Sequence, residues 1–107
     1  MINAGKVGLA MKRKEDVLKI IKDMKGDLKR FQVLSLSLFG SVARGEESAS
    51  SDIDILVEFS EPVGIFTFIR LNNFLEEILS CKVDLVTHDA LKDRFREKIL
   101  KEAIRAA

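Results

Sequence analysis

The chain has 107 residues, 47% hydrophobic and 33% charged, with a net charge of +1 at neutral pH. That length suits a single domain with a buried core, and the composition excludes a disordered chain. The balanced charge excludes a global field drawing the chain to nucleic acid or a membrane, and the one cysteine, Cys81, excludes an internal disulfide and fits a reducing cytoplasm.

The opening segment, MINAGKVGLAMKRK, carries its basic residues after a short apolar patch. That is the reverse of a secretory signal, so residues 1–13 are expected to be a frayed tail. No apolar run reaches the ~18 residues a membrane span needs. From Met11 to Arg30, residues Val17, Ile20, Ile21, Met24, Leu28 and then Phe31 recur at helical spacing, with lysines opposite. One amphipathic helix is expected there, weakened but not ended by Gly26. Val33–Phe39 alternates Leu34, Leu36 and Leu38 with Ser35 and Ser37, which predicts a strand ended by Gly40. The small, polar stretch GSVARGEESASS suits a turn and a short helix.

A second strand is expected in DIDILVEF. Ile53, Ile55, Val57 and Phe59 would face the core, and the other face would begin with Asp52 and Asp54. SEPVG breaks the chain, and Ile65–Leu79 follows as an amphipathic helix. Its Phe66, Phe68 and Phe74 are first of all core, with aromatic surplus enough for an interface. KVDLVT, residues 82–87, predicts a third strand. Asp89 would cap a last helix lined by Leu91, Phe95, Ile99 and Ala103. Cys81 reads as a small hydrophobe near a helix end, and His88, the only histidine, as a loop residue without a catalytic partner. The fold class is therefore α/β (α+β), a small mixed sheet flanked by helices.

The acids pose the chemical question. Asp52 and Asp54, two apart on a strand, point the same way with Cα atoms about 6.6 Å apart. Such carboxylates raise each other's pKa unless a cation intervenes, and hard oxygen ligands select Mg²⁺ or Mn²⁺. Asp84, inside the apolar third strand, could complete a cluster; an ion pair with Lys or Arg is the alternative. Gly40 lets a phosphate approach where the chain leaves its strand, and Ser41 would sit at the start of a helical turn. Arg44, one turn on, could contact the same anion or simply pair with Glu46 or Glu47. A phosphate cradle beside a carboxylate cluster fits phosphoryl or nucleotidyl transfer by two metal ions. The Gly-x-x-x-x-Gly-Lys-Ser/Thr loop, the Gly-x-Gly-x-x-Gly fingerprint and the EF-hand spacing are all missing.

Gly40-Ser41, ten intervening residues, then Asp52-Ile53-Asp54 resembles the signature of the polymerase-β-like nucleotidyltransferases, in their minimal (MNT) form. Asp84 falls where that family carries its third carboxylate. The resemblance implies that Asp52, Asp54 and Asp84 are catalytic and hold two Mg²⁺ ions, and that Gly40, Ser41 and Arg44 hold the triphosphate of ATP. It further implies transfer of AMP to a hydroxyl, a tyrosine, of a helical HEPN-family toxin, so that the chain acts as a cytoplasmic MntA-type antitoxin. Two other classes stay open: a binding-only antitoxin that occludes its partner, and a nucleotidyltransferase with a small-molecule acceptor.

Overall fold

The computed structural model describes residues 13–46, 52–91 and 93–107. The proposed tail, apart from Arg13, and Glu47 lie outside the described residues. The order is α1 (Lys14–Asp23), α2 (Lys25–Leu28), a 3₁₀ turn (Lys29–Phe31), β1 (Val33–Phe39), α3 (Gly40–Ala43) and β2 (Ile53–Phe59). Then come α4 (Ile65–Leu79), β3 (Val83–Thr87), a second 3₁₀ turn (His88–Ala90), α5 (Asp93–Glu102) and β4 (Ile104–Arg105).

The expected first helix is thus divided. Met24 leaves helical geometry at φ −99°, ψ 14°, and its N–H bonds the carbonyl of Ile21. A straight twenty-residue helix would run about 30 Å, past a seven-residue strand of about 23 Å. Breaking early keeps Leu28 buried and brings Phe31 onto Phe74, with ring centroids 5.3 Å apart. Asp89 lies in the 3₁₀ turn and does not cap α5, which begins at Asp93.

The sheet order is β3-β2-β1-β4. β1 pairs antiparallel with β2 and β4, whereas β2 and β3 run parallel, joined through α4 as a crossover. The core lies on one face of this sheet. Leu36, Leu38, Ile53, Ile55, Val57, Val83 and Leu85 meet Val17, Ile21, Leu28, Leu71, Leu75 and Leu79 from the helices. Phe68 and Phe74 pack against that cluster, but Phe66 is 74% exposed. The opposite face begins with acids, as the alternation implies, yet Leu56 on that face is also buried. β2 is an inner strand, and the His88–Ala90 turn contacts it just before buried Leu91. Among the described residues, no helix is long and apolar enough to cross a membrane.

Candidate active site

β1 ends in extended geometry at Phe39 (φ −140°, ψ −175°), and the next residue turns sharply into α3. That residue is Gly40, with φ +76°. Its hydrogen-only side chain is required twice over. The left-handed conformation disfavours other L-residues, and a Cβ there would fall on Asp54 Oδ2, 3.0 Å from Cγ. Gly40 therefore sits directly against the Asp54 carboxylate. Ser41 follows in α3, half-buried, while Val42 and Ala43 anchor the turn in the core.

Register brings the acids together. Across the antiparallel pair Asp54 stands opposite Phe39, and across the parallel pair it stands opposite Asp84. Phe39, Asp54 and Asp84 thus form one row across three strands, on the face away from the core. Asp52 precedes β2 and is exposed. Asp84 is exposed too, because β3 is the sheet's edge strand, so its carboxylate escapes the burial that an apolar strand suggests. Among the described residues neither Lys nor Arg forms an ion pair with Asp52, Asp54 or Asp84; Lys19, Arg30, Arg44 and Lys101 pair with other acids.

Asp54 registers the consequence. Its carboxyl is pushed up to about 6, first by burial and then by the charges of Asp84 and Asp52, with the Arg44 guanidinium opposing. Arg44, expected at the anion, is gripped by two carboxylates. Its Nε donates to Glu46 Oε1 and its Nη1 to Glu102 Oε1, each at 3.1 Å. The pairing with Glu46 was legible from adjacency in the sequence. Glu102, 58 residues away, and Phe39 as the strand partner of Asp54 carried no signal there.

Among the described residues, no three His, Cys, Asp or Glu side chains gather closely enough to hold a metal ion by themselves. The donor set nonetheless fits a hard divalent cation: oxygens only, anionic, with the Asp54 carboxyl pushed up to about 6 by burial and by the neighbouring charges of Asp84 and Asp52. Mg²⁺ characteristically uses one or two carboxylates together with substrate phosphates and waters, so an open carboxylate row is the form such a site takes. His88 stands away from this row, half-buried, beside Glu58 and Asp89 in a groove of about 730 Å³ at the far end of β2 and β3.

The nucleotidyltransferase domain family matches residues 15–106. The protein adenylyltransferase MntA of Thermococcus cleftensis is 38% identical over 97 residues, covering 90% of this chain and 98% of that protein. The solved structure of a candidate minimal nucleotidyltransferase superposes with a TM-score of 0.76 at 36% identity, covering 86% of this chain and 94% of the other. A chain of the Shewanella oneidensis complex between a tri-AMPylated HEPN toxin and its MNT antitoxin shares the fold. Its TM-score is 0.60 at 18% identity, with 84% of this chain and 71% of that one covered. Sequence and architecture agree, and this chain belongs to the nucleotidyltransferase domain family, as one of its minimal, MntA-type enzymes.

Proposed function

We propose that the chain transfers AMP from ATP to a tyrosine hydroxyl of a HEPN-family toxin and acts thereby as a cytoplasmic antitoxin, residues 1–107 forming one minimal catalytic domain. The observation that carries this is the row Phe39–Asp54–Asp84 with Gly40 seated on its central carboxylate. Support comes also from the names of relatives: a protein adenylyltransferase in one case and an AMP-modified HEPN toxin with its MNT antitoxin in another.

In this reaction the acceptor oxygen bonds to the α-phosphorus, the bond to the oxygen bridging the β-phosphorus breaks, and pyrophosphate departs. Gly40 and Ser41 let the triphosphate approach the backbone where β1 turns into α3. Asp84, on the exposed edge strand, takes the proton from the incoming hydroxyl. Asp54, with Asp52, fixes the nucleotide end of the row. The carboxylates of Asp52, Asp54 and Asp84 would hold two Mg²⁺ ions, whose charge would offset that of the triphosphate and stabilise the transition state.

The test is co-purification with a HEPN protein encoded beside this chain, then intact mass of that protein after incubation with ATP and MgCl₂. Whole adenylyl increments on a tyrosine, lost in Asp52→Asn, are the expected result. Binding and neutralisation with no increment would leave occlusion as the function.

A further inference from the structure

Arg44 joins two parts of the chain that sequence does not connect. It is the last residue of the turn beginning at Gly40, and its backbone N–H bonds the Gly40 carbonyl at 3.1 Å. Its side chain reaches Glu102, the final residue of α5, immediately before the stretch that pairs with β1. Glu46 holds Nε and Glu102 holds Nη1, which leaves Nη2 without a partner among the described residues. A guanidinium offers five donors, so a double grip of this kind still leaves N–H groups for a third anion.

The exposure of the pair limits what it does for the fold. The Arg44 side chain is 42% exposed and that of Glu102 is 24% exposed. Ion pairs in such settings contribute little to stability. A long side chain fixed at two points does, however, keep its charge in one place. The turn that carries Arg44 begins at Gly40, whose Cα lies against the Asp54 carboxylate, so that place adjoins the acid row.

We propose that Glu102 is a positioning residue, fastening Arg44 so that its remaining N–H groups meet the triphosphate above Asp54. This rests on ATP being the substrate. Glu46 is the lesser anchor, being 63% exposed and only two residues from Arg44 in the chain, so it moves with the residue it holds. Glu102 is carried on a separate element and supplies an external reference point.

The experiment measures the affinity of the full chain for a fluorescent ATP analogue with MgCl₂, alongside the melting temperature. The variants are Glu102→Gln, Glu102→Asp, Arg44→Ala and the double variant Arg44→Ala/Glu102→Gln. Loss of one charge-assisted hydrogen bond predicts about 10-fold weaker binding in Glu102→Gln at nearly unchanged melting temperature. Glu102→Asp should recover part of that loss. The double variant should bind no worse than Arg44→Ala alone, because Glu102 acts only through Arg44. In turnover assays Glu102→Gln should raise KM for ATP and leave kcat nearly intact. Wild-type affinity in Glu102→Gln, or additive losses in the double variant, overturns the assignment of Glu102 and leaves the enzyme's function standing. No nucleotide binding by the wild-type chain overturns both.

Discussion

Above about pH 6 the carboxyl of Asp54 is ionised beside two like charges, with only Arg44 opposing them. In the unfolded chain the same group titrates near 3.8. Its folded pKa is the higher, so the folded state binds the extra proton between those values. The associated stability is full below about pH 4 and is lost as pH rises through 6. Asp54→Asn removes that cost. The variant should unfold at higher temperature than wild type at about pH 8, by the equivalent of ~1 kcal/mol once solvent screening of a half-exposed group is allowed for. At about pH 4 the difference should vanish. Nucleotidyl transfer should be lost at every pH, since an amide neither carries the charge nor binds the ion. Thermal melts across that range check the sign; a variant less stable than wild type at about pH 8 would contradict it. Gly40→Ala acts on the same carboxylate from the other side. Forcing φ +76° on alanine costs roughly 1–2 kcal/mol, and the new methyl must displace Asp54. Lower melting temperature with loss of transfer is expected, whereas Gly45→Ala, also at φ +76° but with nothing among the described residues within 4 Å of its new methyl, should show the strain without the loss.

The elements most legible in the sequence were those whose punctuation and periodicity agree. β1 and α4 run over the residues their patterns indicate, Val33–Phe39 and Ile65–Leu79, one ended by Gly40 and the other preceded by Pro62 and Gly64. The acid row was half legible: period two puts Asp52 and Asp54 on one side, but only the parallel register of β2 on β3 sets Asp84 opposite Asp54. What stayed hidden depends on tertiary contact. Helix periodicity over 11–30 does not report where the sheet runs out, and Gly26, which weakens the helix, lies beyond the break at Met24 rather than at it. β4 is two residues long, too short for alternation to show, and Ala103 before it read as the end of the last helix because alanine favours it. That short strand nonetheless closes the sheet. Leu36 receives hydrogen bonds from Ala106 at 2.8 Å and Ala107 at 3.2 Å, and donates to Ala107 at 3.2 Å, while Ile104 packs against the core. Removing residues 104–107 should therefore lower the melting temperature by about 5 °C or more, the shift expected of 1 kcal/mol in a chain of this size. Nucleotide affinity should fall in parallel, because Glu102 loses the strand that holds its end of α5. An unchanged melting temperature would mean that β1 needs no partner on that side.

At the scale of the whole molecule, α1, α2 and α4 pack on one face of the sheet and the other face carries Asp54 and Asp84 at one end. The balanced net charge conceals this placement, because Asp52, Asp54 and Asp84 are a small part of the 17 acids that the 18 lysines and arginines offset. On the proposed reading, a divalent cation seated on that row would bind the folded chain far better than the unfolded one, whose acids lie apart. Binding of that kind raises stability by an amount set by ligand concentration over Kd. Protons compete for the same oxygens, and Asp54 holds its proton up to about pH 6. Millimolar MgCl₂ should accordingly raise the melting temperature clearly at about pH 8 and little at about pH 5. A matched ionic strength of NaCl should do neither, since screening alone weakens repulsion without occupying the oxygens. Asp54→Asn and Asp84→Asn should each reduce the Mg²⁺ increment, and ATP added with Mg²⁺ should enlarge it in the wild-type chain by supplying the phosphate oxygens that complete the coordination. An increment that is equal at both pH values and unaffected in both variants would place the cation elsewhere on the molecule and remove the metal from the acid row.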